Sequence, residues 1–249
     1  MNPNDNPINL VMVSYMRPND LDRSLMSIFA HTDYPFRLTL IDNSSGAVDH
    51  VIDKYLKHSA FNVIYNPINM GKARSFASYL DTIMIGNTNR FFVSIDGDIE
   101  VSANWLSKLI NAASTIQKPF GALAPFYIRR FDDSIDINEK WLVHQKLDFC
   151  HYTGNVYYNK RVGGGLLLID YEFYALSGGY DARYLYGGDD GRMCNQANAL
   201  DRFIGFTTDV RVRHLRMDET PEYKKWKHEN INNKETALGH WDLNNGSNK

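Results

Sequence analysis

Two aspartates one residue apart, Asp96 and Asp98, carry the most pointed chemistry in this sequence. They stand in Ser94-Ile95-Asp96-Gly97-Asp98-Ile99-Glu100, directly after the apolar run Phe91-Phe92-Val93, where a buried strand reaches the surface. Carboxylates at i and i+2 of a turn can point the same way, and like charges held that close are costly unless a cation neutralises them. Hard oxygen ligands left partly open favour Mg2+ or Mn2+, ions often shared with substrate phosphates. Asp-Gly-Asp is also ordinary turn chemistry. Position and company must therefore decide between a site and a turn.

The elements that must position the pair are legible upstream. Ile8 to Val13 is a continuous apolar run of the kind buried on both faces of a sheet, and it closes on the helix-start chemistry of Ser14-Tyr15-Met16-Arg17-Pro18-Asn19-Asp20. Leu21, Leu25, Ile28 and Phe29 recur at helical spacing. Leu38 to Ile41 reads as a second strand, closing on Asp42-Asn43-Ser44-Ser45-Gly46, and Val48, Val51, Ile52, Tyr55 and Leu56 form a second helical face. Asn62 to Tyr65 predicts a third strand, Ala73, Phe76, Ala77 and Leu80 a third helix, and Arg90 to Ile95 a fourth strand. Such alternation predicts right-handed crossovers and a parallel sheet, with ligands beyond the carboxyl ends of its strands. Ser14-Tyr15, Asp42-Asn43, Asn66 to Lys72 and Asp96-Asp98 all fall on that edge, so four scattered polar clusters become one cleft.

A helical face at Trp105, Leu106, Leu109 and Ile110 follows, after which periodicity fades. Tyr127 to Lys160 mixes aromatic and charged residues without a period and reads as an acceptor-binding insertion. Regularity returns at Val162-Gly163-Gly164-Gly165, a turn feeding the buried strand Leu166 to Asp170. No Gly-Lys-Ser/Thr follows, so it is not a P-loop; close backbone approach is the use glycines suggest here.

Composition narrows the class. The chain has 249 residues, 43% hydrophobic and 22% charged, which is ordinary for a globular protein with a substantial core. A net charge of −2 argues against a surface that coats nucleic acid. No apolar run approaches the roughly 18 residues that cross a bilayer, and the polar start Met1 to Pro7 lacks signal-peptide regions. Cys150 and Cys194 show no CxxC spacing, so neither a zinc site nor a disulfide framework is indicated. A cytoplasmic protein is the expectation.

These motifs resemble the GT-A glycosyltransferases, in particular the family 2 group of inverting nucleotide-sugar enzymes. Val11 to Pro18 is similar to that family's first strand and "TYNRP" turn, Leu40 to Ser45 to its "VVDNxS" turn, and Asn69-Met70-Gly71-Lys72-Ala73-Arg74 to its "NxGxaxa" helix start. Asp96-Gly97-Asp98 stands at its DxD position. Later, Leu176 to Asp181 resembles "vGGFDE", Tyr186-Gly187-Gly188-Asp189-Asp190 resembles "xGGED", and Thr208 to His214 resembles the closing strand with its histidine. The likeness covers residues 8 to 112 and 162 to 215. It implies a Rossmann-like, mostly parallel central sheet flanked by helices, with a C-terminal acceptor-side portion. The chain is then one domain, 1–249, with a nucleotide-sugar-binding half at 8–112 and an acceptor-side half carrying the catalytic motif at 113–249.

The resemblance also assigns roles. Asp190 would be the catalytic base, with Asp189 beside it as the alternative. Ser14, Tyr15, Asp42, Asn43, Asn69, Lys72 and Asp96 would bind the nucleotide sugar, and Asp98, Asp96 and His214 would hold Mn2+ or Mg2+. Arg192 departs from the pattern, standing where many relatives carry an acid. The chemistry is self-consistent. A cation at Asp98 offsets charge on a departing diphosphate, and inversion needs a base on the opposite face of the sugar. The expected donor is a UDP-sugar and the expected acceptor a hydroxyl, preferably of a saccharide.

Three alternatives stay open at this level. Residues 211 to 228 hold six Lys/Arg against three acids, interleaved with Tyr223 and Trp226. That mixture suits either a solvated helix or a grip on a hydroxylated DNA base through Lys224, Lys225 and Lys227. A saccharide acceptor would instead lean on Tyr152, Tyr157, Tyr158 and Trp141. A nucleotidyltransferase needs a glycine-rich loop after the first strand, which Ser14 to Pro18 lacks. A non-catalytic binding module sits poorly with the joint presence of Asp96, Asp98 and Asp190.

Overall fold

Residues 6–86, 88–129, 150–183, 185, 189–216 and 220–232 are described by a computed structural model. The first half runs β1 (Ile8–Ser14), α1 (Pro18–His31), β2 (Phe36–Asp42), α2 (Asp49–Ile52), β3 (Phe61–Tyr65), α3 (Gly71–Met84) and β4 (Phe91–Asp96). It continues with β5 (Ile99–Val101), α4 (Trp105–Ser114), β6 (Phe120–Arg129), β7 (Cys150–Thr153), β8 (Val156–Tyr158) and β9 (Leu166–Asp170). The last elements are α5 (Tyr171–Leu176), α6 (Asp190–Ala199), β10 (Phe203–His214) and α7 (Pro221–Asn232).

One sheet joins these strands in the order β3-β2-β1-β4-β9-β6-β10-β8-β7, with β5 paired to β10. Strands β3, β2, β1 and β4 are parallel neighbours. Their register brings Ser14 opposite Asp42, Asp42 opposite Tyr65, and Val13 opposite Asp96. The carboxyl ends are therefore level, and the polar loops that follow them share an edge, as the alternating sequence predicts. Strand β1 is nearly all apolar and buried, the pattern of a strand covered on both faces. Pro18 opens α1 at a position where its missing N–H costs nothing, and Leu21, Leu25 and Ile28 pack its inner stripe.

Strand β9 departs from the parallel pattern. It lies antiparallel between β4 and β6, with Ser94 opposite Leu167 and Leu123 opposite Leu168. Its five residues are all buried, and the apolar run Leu166 to Ile169 encodes burial on two faces but not direction. The insertion matters because the Asp96 amide then donates to the Gly165 carbonyl at 2.7 Å, bringing the glycine turn beside the DxD turn. Strand β10 supplies the other connection. Its end pairs antiparallel with β5, His214 opposite Ile99, and the Leu215 amide donates to the Asp98 carbonyl at 2.8 Å.

The second helical face expected at Val48 to Leu56 is one α-turn, Asp49–Ile52. The chain beyond it continues in tighter turns, with the Lys54 amide bonded to the Val51 carbonyl and Tyr55 to Ile52. Of the aperiodic Tyr127 to Lys160 segment, residues 130–149, including Trp141, lie outside the described residues. Residues 150–158 form the β7–β8 hairpin against β10. No described helix is long and apolar enough to cross a membrane.

Candidate active site

The turns after β1, β2 and β3 interlock through short polar side chains. Ser14 Oγ donates to Asp42 Oδ1 at 3.0 Å, and that oxygen also accepts the Ser44 amide at 3.1 Å. The Asn43 amide donates to the Ser14 carbonyl at 3.0 Å, while Asn43 Oδ1 accepts Asn66 Nδ2 at 2.7 Å. Asn69 Oδ1 accepts the Gly71 amide at 2.9 Å and so fixes the entry to α3. Gly71 has φ +71°, and a Cβ there would lie 2.1 Å from the Leu185 carbonyl oxygen. Only glycine allows this close approach. Ser14, Tyr15, Asn43 and Asn69 line the cleft, whereas Asp42 is fully buried behind them. Asp42 thus braces the turns from beneath, away from the cleft surface.

Asp98 is buried and doubly paired through one oxygen. His214 Nε2 lies 2.8 Å and Arg17 Nη1 2.7 Å from its Oδ2. Burial opposes the charge, but His214 and Arg17 outweigh it and hold the Asp98 carboxyl well below the usual range. Arg17 is itself anchored, its Nη2 2.6 Å from the buried Asp20 and its guanidinium 5.4 Å from the Tyr223 ring centre. Burial would discharge it, yet Asp98 and Asp20 raise its pKa above the ordinary value.

Lys72 joins the two halves of the chain. Its Nζ lies 2.7 Å from Asp96 Oδ1, 2.8 Å from the Gly164 carbonyl and 3.2 Å from Asp189 Oδ2. The Tyr180 ring centre is 5.7 Å away. Burial pushes Asp96 up to about 6 against the pull of Lys72, and Asp98 and Asp189 add to the push. Among the described residues no three His, Cys, Asp or Glu side chains gather as a metal cage. Asp98 and His214 meet, while Asp96 turns to Lys72.

Asp189 occupies the cap position of α6 without capping it; its carboxylate is turned to Lys72 instead. Asp190 is the first helical residue, and its Oδ1 accepts the Gly191 amide at 2.7 Å. Burial first, and then the Asp189 charge, push the Asp190 carboxyl above the usual range, against the pull of the Gly191 amide and Lys72. A cleft carboxyl held above its usual range by burial and a neighbouring charge is a candidate for proton transfer.

Sequence reasoning passed over Tyr127. Its hydroxyl accepts the Leu166 amide at 2.6 Å and reaches the Gly163 carbonyl at 3.3 Å, so a β6 side chain braces the glycine turn. An aromatic in an aperiodic segment carried no signal of this. Arg192, the departure from the family pattern, has a structural job. Its Nε donates to the Gly179 carbonyl at 3.1 Å, and its Nη1 lies 3.8 Å from Asp181.

The cleft has a volume of about 480 Å³, within the range of small-ligand sites. Lys72, Asp96, Asp98, Asp189, Asp190 and His214 all line it. From β10 so does Phe206, against which Tyr157 stacks at 5.2 Å. Tyr152 is engaged elsewhere, accepting the Gln117 and Lys118 amides, and Tyr158 donates to Asn198. Lys224 and Lys225 are exposed on α7, Lys225 4.0 Å from Glu229 of the same helix. The side chains of Trp226 and Lys227 lie outside the described residues.

The sheet order and its polar edge define the class: this is the GT-A glycosyltransferase fold. It superposes on GalNAc-T7 with UDP, GalNAc and Mn2+ at a TM-score of 0.66, with 18% identity over 86% of this chain and 44% of that one. It also superposes on the mannosyltransferase PcManGT from Pyrobaculum calidifontis in complex with GDP-Man and Mn2+, at a TM-score of 0.64, with 16% identity over 97% of this chain and 65% of that one. The chain thus spans less than two thirds of either protein. Residues 10–162 match the family described as glycosyl transferase family 2, and the chain belongs to that family. The match runs through the aperiodic segment and ends before the Asp189-Asp190 motif. No curated protein sequence matches the chain.

Proposed function

We propose that the chain is a metal-dependent inverting glycosyltransferase that moves a sugar from a nucleotide sugar, UDP-linked in our reading, to an acceptor hydroxyl. The observation that carries this reading is the meeting of Asp98, His214 and Asp190 in one cleft, each delivered by a different element. We read the chain as a single domain with a donor half at 8–112 and an acceptor half at 113–249, the sheet running through both.

The residues fit a divalent ion held by two protein groups. Asp98 Oδ2 and His214 Nε2 are 2.8 Å apart. That contact is an ion pair in the structure, and a divalent ion would take the place of the proton between the two groups. An oxygen and an imidazole nitrogen suit Mn2+, with nucleotide phosphates and water filling the remaining positions. When bound, the ion would offset charge developing on the diphosphate leaving group. Ser14, Tyr15, Asn43 and Asn69 would seat the nucleoside at the strand ends. Lys72 would hold Asp96 and Asp189 in place and leave Asp190 as the carboxylate able to take the acceptor proton. Gly164, pressed against Asp190, fixes where that base stands.

The acceptor in our reading is a saccharide hydroxyl. Tyr157 and Phe206 form an apolar stack on the acceptor side of the cleft, whereas Lys224 and Lys225 stand exposed on α7. The test is a panel of UDP- and GDP-sugars assayed for release of the nucleoside diphosphate with Mn2+ and with EDTA. The proposal expects release with at least one donor and its loss in EDTA. Release of equal rate in EDTA would remove the metal from the mechanism.

A further inference from the structure

Arg17 holds the same Asp98 oxygen that faces His214. Its Nη1 is 2.7 Å from Asp98 Oδ2, the same oxygen that His214 Nε2 approaches at 2.8 Å. A guanidinium does not lose its proton, so this counter-charge is permanent. It is also firmly held. Asp20 lies 2.6 Å from Nη2 in the first turn of α1, Pro18 fixes the chain immediately beyond, and Tyr223 covers the guanidinium from α7. Asp98 is therefore already neutralised by the protein's own cation.

Resting on the glycosyltransferase reading above, we propose that Arg17 is a positioning residue that withholds Asp98 from the metal until a nucleoside diphosphate arrives. The diphosphate gives the guanidinium another acceptor, since its planar fork matches phosphate oxygens as well as carboxylate. Arg17 can then share its bonds with the phosphate, and Asp98 Oδ2 becomes open to the ion. Metal and nucleotide are consequently coupled, each tightening the other by the same factor. The ring of Tyr223 ties α7 to this exchange.

The experiment measures Mn2+ affinity by the loss of the free-ion electron paramagnetic resonance signal, with no nucleotide, with UDP and with GDP. Truncating Arg17 alone would take the ion-pair partner from the buried Asp20 carboxylate, so the variant is the double change Arg17→Met, Asp20→Asn. Wild type is expected to bind Mn2+ at least ~10-fold more tightly with one of the nucleotides, within the usual range of coupling between sites. The double variant is expected to bind Mn2+ without nucleotide more tightly than wild type does, which narrows the gap between the nucleotide-free and nucleotide-bound affinities without closing it. Tyr223→Ala, which leaves the buried pairs intact, should tighten nucleotide-free binding by ~2–5-fold, the worth of a partly exposed cation–π contact. Equal wild-type affinity with and without nucleotide overturns the proposal, as does nucleotide-free affinity unchanged in both variants. Absence of Mn2+ binding even with UDP or GDP would instead remove the metal site itself, and with it this inference.

Discussion

Gly164 and Asp190 are in contact across 26 residues of sequence: a Cβ at position 164 would lie 2.7 Å from the Asp190 Cβ. Neither backbone has room to yield easily. The Gly164 carbonyl is bonded to Lys72, and Asp190 starts α6. Gly164→Ala is therefore expected to displace the base and lower transfer by ~10²-fold, the scale of a roughly 1 Å misplacement. Nucleotide affinity, read by calorimetry, should stay near wild type. An Ala variant that transfers normally would mean that Asp190 is not held by this contact.

Asp190→Asn keeps the size of the side chain and removes its ability to accept a proton. The expected loss is ~10²-fold or more in transfer rate, with nucleotide affinity retained. Asp189→Asn should be milder in rate, because Asp189 is engaged with Lys72. The reverse order of severity would exchange the two roles.

The pH dependence follows from the same two carboxylates. In the proposed mechanism Asp190 must be ionised to act, and its pKa is raised, by burial first and Asp189 second. The acidic limb of the rate profile should then lie above the ordinary carboxylate value of about 4. Removing the neighbouring charge in Asp189→Asn lowers the Asp190 pKa, so its limb should move to lower pH. A limb that moves to higher pH in that variant contradicts the assignment.

Lys72→Met strips the counter-cation from Asp96 and Asp189 at once. The expected cost is about 3 kcal/mol, the low end for breaking a buried pair because Asp96 is one-third exposed. Urea unfolding measures it. Adding Asp96→Asn to the Met variant should recover part of the loss, since one stranded carboxylate is then gone. No recovery would indicate that Lys72 packs rather than pairs.

Period and turn chemistry made the first half readable. Strands β1 to β4 and helices α1 and α3 emerge from apolar runs and 3.6-residue stripes, and the level strand ends then place Ser14, Asn43, Asn69 and Asp98 on one edge. Asp42 was legible as a strand-end acid but not as a buried brace, because burial of a loop carboxylate depends on Ser14 and Ser44 closing over it. Strand direction escaped the reading at β9, where four apolar residues before Asp170 do not encode direction. Arg17 and Tyr127 act through partners far along the chain, Asp98 and Leu166, and no local pattern encodes such pairings. Lys72 was placed with the donor; its contact with Asp189 needed the fold.

The most direct test of inverting, metal-dependent transfer is the anomeric configuration of the first sugar released. Time-resolved proton NMR can follow hydrolysis of an α-linked UDP- or GDP-sugar with Mn2+, before mutarotation mixes the anomers. The account predicts that the β-anomer appears first, and that it fails to appear with Asp98→Ala or in EDTA. First release of the α-anomer, or the same β-anomer burst from Asp98→Ala, would contradict it.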